Sequence, residues 1–213
     1  MSARILIADD HAIVREGLKM ILESLSDIVV VGEARDGREV LEQAEALLPD
    51  VIIMDIAMPE MNGIEATRIL RERLPTVRVI MLSMHHTNEH VFRAMQAGAR
   101  AYLLKESAGF SVINAVRTVM RGQPYFGEGI EAPYTMHSGT DLPQSPIDSL
   151  SRRERETLQL VAEGYTNATI AELFNISSKS VETYRSRLML KLGISNVPAL
   201  VKYALQHGII SLQ

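Results

Sequence analysis

Along the first 121 residues, short apolar runs alternate with longer stretches in which apolar positions recur every three to four residues. The runs near 4–8, 28–34, 51–54, 77–82 and 101–104 have the length and β-branched content of buried strands. The stretches 13–24, 38–47, 64–73, 89–97 and 111–121 read as amphipathic helices. Pro49 and Pro75 follow the second and third helices, and Gly98 closes the fourth. Strand–helix alternation of this kind predicts a doubly wound, five-stranded parallel sheet covered on both faces. From 122 to 147 the periodicity stops. That stretch holds four Gly and four Pro but no Lys or Arg, the composition of a linker, although Tyr125, Phe126 and Tyr134 are able to dock it onto a domain. Beyond it the pattern is wholly helical. Ser151 and Glu154 form a capping box for a first helix broken by Gly164, and Thr166 or Asn167 caps a short second one. A tight connection over 175–177 leads into a third helix over 178–192, stopped by Gly193, and Ser195-Asn196 caps a last one over 197–207. The predicted organisation is an α/β domain over 1–121, a linker over 122–147 and a small all-α helix-turn-helix domain over 148–213.

Four of the predicted strands finish in a polar group. Asp9 and Asp10 end the first, Asp55 the third, Ser83 the fourth and Lys105 the fifth. Ligands of open α/β sheets sit outside the carboxyl ends of the strands, so these side chains converge on one place. Each of them alone is ordinary, a turn former, a helix cap or a solvated charge; together they are not. Three carboxylates repel one another unless a cation joins them. A hard divalent ion such as Mg2+ takes oxygen ligands and keeps waters, leaving room for a phosphoryl oxygen. With the ion bound, Asp55 becomes a nucleophile toward phosphorus, while Lys105 offsets charge on the equatorial oxygens.

Composition narrows the classes. The chain has 213 residues and no cysteine, which excludes disulfides, thiolate metal sites and cysteine nucleophiles. No leader-like segment opens it, and its apolar runs are strand-sized, so a soluble cytoplasmic protein without a membrane partner is expected. The net charge of −4 is uneven: residues 1–147 carry 14 basic and 20 acidic groups, a balance of −6, while 148–213 carry 8 and 6, a balance of +2. Different partners at the two ends follow from that split.

The segments Ile7-Ala8-Asp9-Asp10-His11, Met54-Asp55-Ile56-Ala57-Met58-Pro59-Glu60-Met61-Asn62-Gly63, Ser83 and Tyr102-Leu103-Leu104-Lys105 resemble, in order and spacing, the receiver domain of two-component response regulators. The resemblance implies a flavodoxin-like fold with Asp55 as phosphoacceptor. It implies Mg2+ held by Asp9, Asp10 and Asp55 with a backbone carbonyl from Met54 or Ile56, the latter preferred. It further implies Lys105 and Ser83 as phosphoryl contacts, Tyr102 as the aromatic that swings inward, and a sensor histidine kinase as donor. Four positions depart from the pattern: Arg100-Ala101 stands before the aromatic, bulky Met84 follows Ser83, and Glu106 replaces the proline common after the lysine.

In the stretch 178–192, Val181, Tyr184, Leu188 and Leu192 share an inward stripe. The opposite face presents Glu182, Thr183, Ser186, Arg187 and Leu190, with Thr183 and Ser186 placed for base edges and Glu182 for a cytosine amino group. Lys179, Arg185, Arg187 and Lys191 suit DNA phosphates. The segments 150–156, 164–171, 180–186, 191–194 and 200–204 resemble the LuxR-type helix-turn-helix, and the two halves together resemble the NarL/FixJ class of response regulator. That implies phosphorylation-controlled binding to double-stranded DNA, and a homodimer through the last helix when the protein is phosphorylated or DNA-bound. Glu182 and Tyr184 replace a frequent Lys and His of that motif, and Leu190 is apolar on a face expected to be wet. Two rivals stand beside this reading. One is a Mg2+-dependent phosphohydrolase, against which Ala57 counts by standing where a second acid would be needed. The other is a constitutive DNA binder whose acidic pocket does not switch.

Overall fold

The computed structural model describes residues 2–132 and 145–211. The chain divides into two compact units, Met1–Pro133 and Tyr134–Gln213.

In the first unit, strands β1 (Ala3–Ala8), β2 (Ile28–Ala34), β3 (Val51–Asp55), β4 (Arg78–Ser83) and β5 (Ala101–Leu104) match the five predicted runs. Helices α1 (Ala12–Glu23), α2 (Gly37–Leu47), α3 (Gly63–Arg73), α4 (Asn88–Ala97) and α5 (Ala108–Met120) lie between and after them. The sheet is parallel, in the order β2-β1-β3-β4-β5-β6, β6 being Tyr125–Phe126. The sixth strand corrects the expected five. Tyr125–Phe126, inside the stretch read as a linker, pairs with Ala101 and Tyr102 of β5. Tyr125 donates its backbone N–H to the Arg100 carbonyl and Gly127 donates to that of Tyr102. Because successive strand residues face opposite sides, Phe126 packs on one face of the sheet and Tyr125 on the other. Two residues are too few to show a period, which is why the strand is invisible in the pattern.

Both faces of the sheet are covered. On one, Leu6, Ile52, Met54 and Met81 pack against Val40 and Ala44 of α2, Ala66 and Ile69 of α3, and Val91 and Ala94 of α4. On the other, Ile5, Ile7, Ile53 and Leu82 meet Leu18 and Leu22 of α1 and Val112 and Val116 of α5. This two-sided burial explains why the strands read as continuous apolar runs. Helix entries are fixed by side-chain caps: Asp36 accepts from the Arg38 and Glu39 amides, and Asn62 from that of Glu65.

The second unit holds α6 (Arg152–Ala162), α7 (Asn167–Phe174), α8 (Ser178–Leu192) and α9 (Val197–Gln206). The Ser151–Glu154 capping box is present, Thr166 caps α7, Ser177 caps α8 and Asn196 caps α9. Asn175 takes the left-handed conformation (φ 53°) that turns α7 into α8. The core gathers Leu158, Ile170, Phe174, Val181, Leu188, Leu200 and Ala204. Ile147, also placed in the expected linker, is buried in it from a 3-10 turn over Pro146–Ser149. Of the aromatics of that segment, Tyr134 lies outside the described residues. Among the described residues no single helix is long and apolar enough to cross a membrane.

Candidate phosphoryl-transfer site and nucleic-acid face

Strand register brings the polar ends together. Ala8 pairs with Met54, Asp55 with Leu82 and Ser83 with Leu104, so Asp9, Asp55, Ser83 and Lys105 meet at one edge of the sheet. Lys105 Nζ lies 2.7 Å from Asp9 Oδ2 and 2.8 Å from Asp55 Oδ2. Both carboxylates are buried and the ammonium nearly so. Asp10 stands beside them, and ligand-capable atoms of Asp9, Asp10, His11 and Asp55 all fall within 4.8 Å of one another.

Electrostatics follow from this crowding. Burial, reinforced by the charges of Asp9 and Asp10, pushes the Asp55 carboxyl up to about 6 although Lys105 pulls it down. For Lys105, burial favours the neutral amine, but pairing with Asp55 and Asp9 outweighs it and the pKa is raised. The oxygens of Asp9, Asp10 and Asp55 suit a hard divalent cation, and the ammonium beside them suits a phosphoryl group. The backbone is held as tightly as the side chains. A Cβ on Gly63 would stand 2.0 Å from the Asp55 carbonyl oxygen, so only glycine lets the start of α3 approach this strand end.

Ser83 and Tyr102 are buried and clasp one loop. Ser83 Oγ accepts from the His85 N–H at 2.9 Å, and the Tyr102 hydroxyl donates to the His85 carbonyl at 2.7 Å. Burial pushes the phenol up to about 12, against a hydrogen bond with Ser83 that lowers it. Met84, between Ser83 and His85 in the chain, is exposed at 62%.

On α8, Val181 and Leu188 are fully buried, Leu192 packs against the core and Tyr184 is half-buried. Lys179, Glu182, Thr183, Ser186, Arg187 and Leu190 are exposed.

Residues 5–117 match the family described as response regulator receiver domain, and residues 148–204 the bacterial regulatory proteins of the luxR family. The transcriptional regulatory protein MctR of Rhizobium johnstonii is 39% identical over 98% of this chain and 95% of its own length. The response regulator VraR of Staphylococcus aureus is 37% identical over 99% and 100%. Among solved structures, RcsB of Salmonella enterica serovar Typhimurium, bound to promoter P1flhDC with the phosphomimetic BeF3-, is 27% identical with a TM-score of 0.65, over 97% of this chain and 100% of that one. ChrA, from a heme-sensing two-component system, is 32% identical with a TM-score of 0.53, over 98% and 99%. The chain is a response regulator of the LuxR type. It is a DNA-binding transcription regulator of a two-component system, not a classical enzyme.

The regulator's geometry corrects some residue assignments. The Ile56 carbonyl accepts from the amides of Met58 (3.2 Å) and Gly63 (2.9 Å), which occupies both its lone pairs, so it is not the backbone ligand expected for a cation. Lys191, assigned to DNA phosphate, instead donates to Glu154 Oε2 at 2.7 Å and the Ser149 carbonyl at 3.1 Å. Arg185 is half-buried, with Nη1 3.4 Å from Asn167 Oδ1. The Thr183 hydroxyl donates to the Lys179 carbonyl one turn back. In the last helix, Leu200 and Ala204 are consumed by the regulator's own core. Two residues of the site escaped the sequence reading. Arg15 Nη1 donates to the Asp9 carbonyl at 2.7 Å while its Nε meets Glu33 at 3.2 Å. His11 turns its ring onto Asp9 and Asp10. The only signal for either is nearness in sequence to Asp9.

Proposed function

We propose that Asp55 is the phosphoacceptor of this response regulator, and that its modification by a sensor histidine kinase controls DNA binding by the second unit. The observation that carries the reading is Lys105 Nζ within 2.8 Å of both Asp9 and Asp55 at the carboxyl edge of the sheet. Asp55 supplies the nucleophilic oxygen: its bond to phosphorus forms as the donor's phosphoramidate P–N bond breaks. Lys105 stays with the transferred group and neutralises equatorial charge. Asp9, Asp10 and Asp55 are the residues to hold Mg2+, which when bound neutralises charge on the transferring oxygens. With Ile56 committed elsewhere, the next peptide of the loop, at Ala57, is the backbone candidate. Ser83 and Tyr102, both tied to His85, are the pair that rearranges. The phosphorylated state need only be bound better by one arrangement of that loop than by the other.

On the DNA side, Lys179 and Arg187 serve phosphates, and Glu182, Thr183 and Ser186 face base edges. Arg185 and Lys191 act mainly in the scaffold. The regulator works in the cytoplasm, and dimerises when phosphorylated or DNA-bound through the residues of α9 that its core leaves over.

Intact mass after incubation with acetyl phosphate tests the acceptor. Wild type gains one Mg2+-dependent phosphoryl adduct, and Asp55→Asn gains none. An equal adduct on both chains would exclude Asp55 as the acceptor.

A further inference from the structure

We propose that the linker strand β6 is part of the phosphorylation switch: Phe126 and Gly127 position Tyr102 in the unphosphorylated protein, and modification of Asp55 releases them. The inference rests on Asp55 as phosphoacceptor and concerns what its modification moves.

Tyr102 is held from two sides. Its hydroxyl donates at 2.7 Å to the carbonyl of His85, the residue whose amide donates to Ser83 Oγ at 2.9 Å. Its main chain is held by the linker. Phe126 is its register partner across the sheet, and the Gly127 amide donates to the Tyr102 carbonyl at 2.9 Å. The side chains follow the backbone: Tyr102, fully buried, and Ile130 lie in one apolar cluster, and Phe126 packs against it. Gly127 sits close over β5, where an added Cβ would stand 3.0 Å from Leu103 Cδ2. Arg100 and Ala101, which depart from the receiver pattern, are also points of attachment. The Arg100 carbonyl accepts from the Tyr125 amide at 3.1 Å, and Ala101 is the register partner of Tyr125.

A two-residue strand has few ladder bonds, so the side chains packed across it decide whether it stays on the edge. Tyr102 supplies both kinds of contact, a carbonyl and a ring. When Ser83 turns to a phosphoryl oxygen it gives up the His85 amide, the loop moves, and the Tyr102 ring follows the carbonyl its hydroxyl is bonded to. The cluster under Phe126 and Ile130 then loses its aromatic member. β6 detaches, and residues 125–132 become available to the connection with the second unit. Coupling between two sites is reciprocal: the factor by which phosphorylation favours detachment is the factor by which detachment favours binding at the phosphoryl site.

Hydrogen exchange and beryllofluoride binding test this on the full-length protein, with wild type, Asp55→Asn, Gly127→Pro and Gly127→Ala. Proline removes the N–H that bonds Tyr102. Alanine keeps it and carries the same Cβ toward Leu103, so the two variants separate the hydrogen bond from the crowding. Phosphorylation of wild type by acetyl phosphate with Mg2+ raises amide exchange over 125–130 about tenfold or more. The same treatment leaves exchange in Asp55→Asn unchanged. Gly127→Pro binds beryllofluoride, a phosphoryl mimic, about fivefold more tightly than wild type, whereas Gly127→Ala stays within about twofold. A merely structural strand would not alter the affinity of a site it does not touch. Exchange that stays level or slows in wild type carrying the Asp55 adduct overturns the inference and leaves the phosphoacceptor standing. Equal beryllofluoride affinities for Gly127→Pro and Gly127→Ala do the same. Absence of both the adduct and beryllofluoride binding in wild type overturns the phosphoacceptor reading, and this inference falls with it.

Discussion

Lys105 and Lys191 make similar contacts in very different company. Each lies 2.7 Å from a buried carboxylate oxygen, Asp9 for the first and Glu154 for the second. Glu154 is closed on itself: besides Lys191 it accepts the Ser151 amide at 2.7 Å, and those bonds overcome its burial and hold its pKa below the usual range. Asp55 shares Lys105 with Asp9 and feels Asp10 as well, and its pKa goes the opposite way, up to about 6. Burial pushes both carboxyls up, Asp55 more than Glu154, and the shifts end on opposite sides because Glu154 has a lysine and an amide to itself whereas Asp55 shares one ammonium with Asp9. A carboxylate with enough partners is scaffold. A set with too few is a place for a cation and a phosphoryl group.

The largest test of that contrast removes each ammonium in turn. Lys105→Met leaves two buried carboxylates without their cation and lowers unfolding free energy in urea by about 3 kcal/mol at neutral pH without Mg2+. Millimolar Mg2+ restores much of the loss. Lys191→Met costs only about 1 kcal/mol, since its side chain is 39% exposed and Glu154 keeps its Ser151 bond. Equal losses in the two variants would dissolve the distinction between a closed pair and an open set.

A second test reads the Asp55 shift through pH. Its folded pKa, about 6, lies above the ordinary 3.8. Between these values the native protein holds a proton that the unfolded chain has released, so this group's contribution to stability falls as pH rises from 4 to 6. Above pH 6 the full cost is present, about 2–3 kcal/mol at most. Asp55→Asn removes this slope, which makes it more stable than wild type at pH 7 without Mg2+ and nearly equal to it at pH 4. Parallel stability profiles for the two proteins would place the shift elsewhere.

How much of this was legible in the sequence follows the same division. The strands with two buried faces and the capped helices stand in the structure within a few residues of the pattern, because burial and capping impose periodicity and residue type. The polar strand ends were legible for the same reason: a charged group at the end of an apolar run has few innocent explanations in combination. What escaped lacked a repeating constraint. Tyr125–Phe126 is too short for a period, and Ile147 sits alone in a Pro- and Gly-rich stretch. His11 and Arg15 act through directions of side chains that no spacing encodes. On α8 the case was different: Lys191 and Lys179 look alike in sequence, and only the fold shows that the first is paired with Glu154.

That difference on one helix gives the finest test, in DNA binding rather than stability. Each cation that neutralises a phosphate contributes about 0.9 to the slope of log affinity against log salt concentration. Arg187 is exposed on the outer face of α8, whereas Lys191 is held by Glu154 and the Ser149 carbonyl. Arg187→Met therefore lowers the salt slope by about 1 across unrelated DNA sequences. Lys191→Met leaves the slope unchanged and weakens binding only as far as it loosens the end of α8. Fluorescence anisotropy over a salt series, with two unrelated duplexes and three proteins, separates the two. A slope reduced by Lys191→Met would mean that the lysine leaves Glu154 for the phosphate when DNA arrives, and the closed pair would then be a resting contact rather than scaffold.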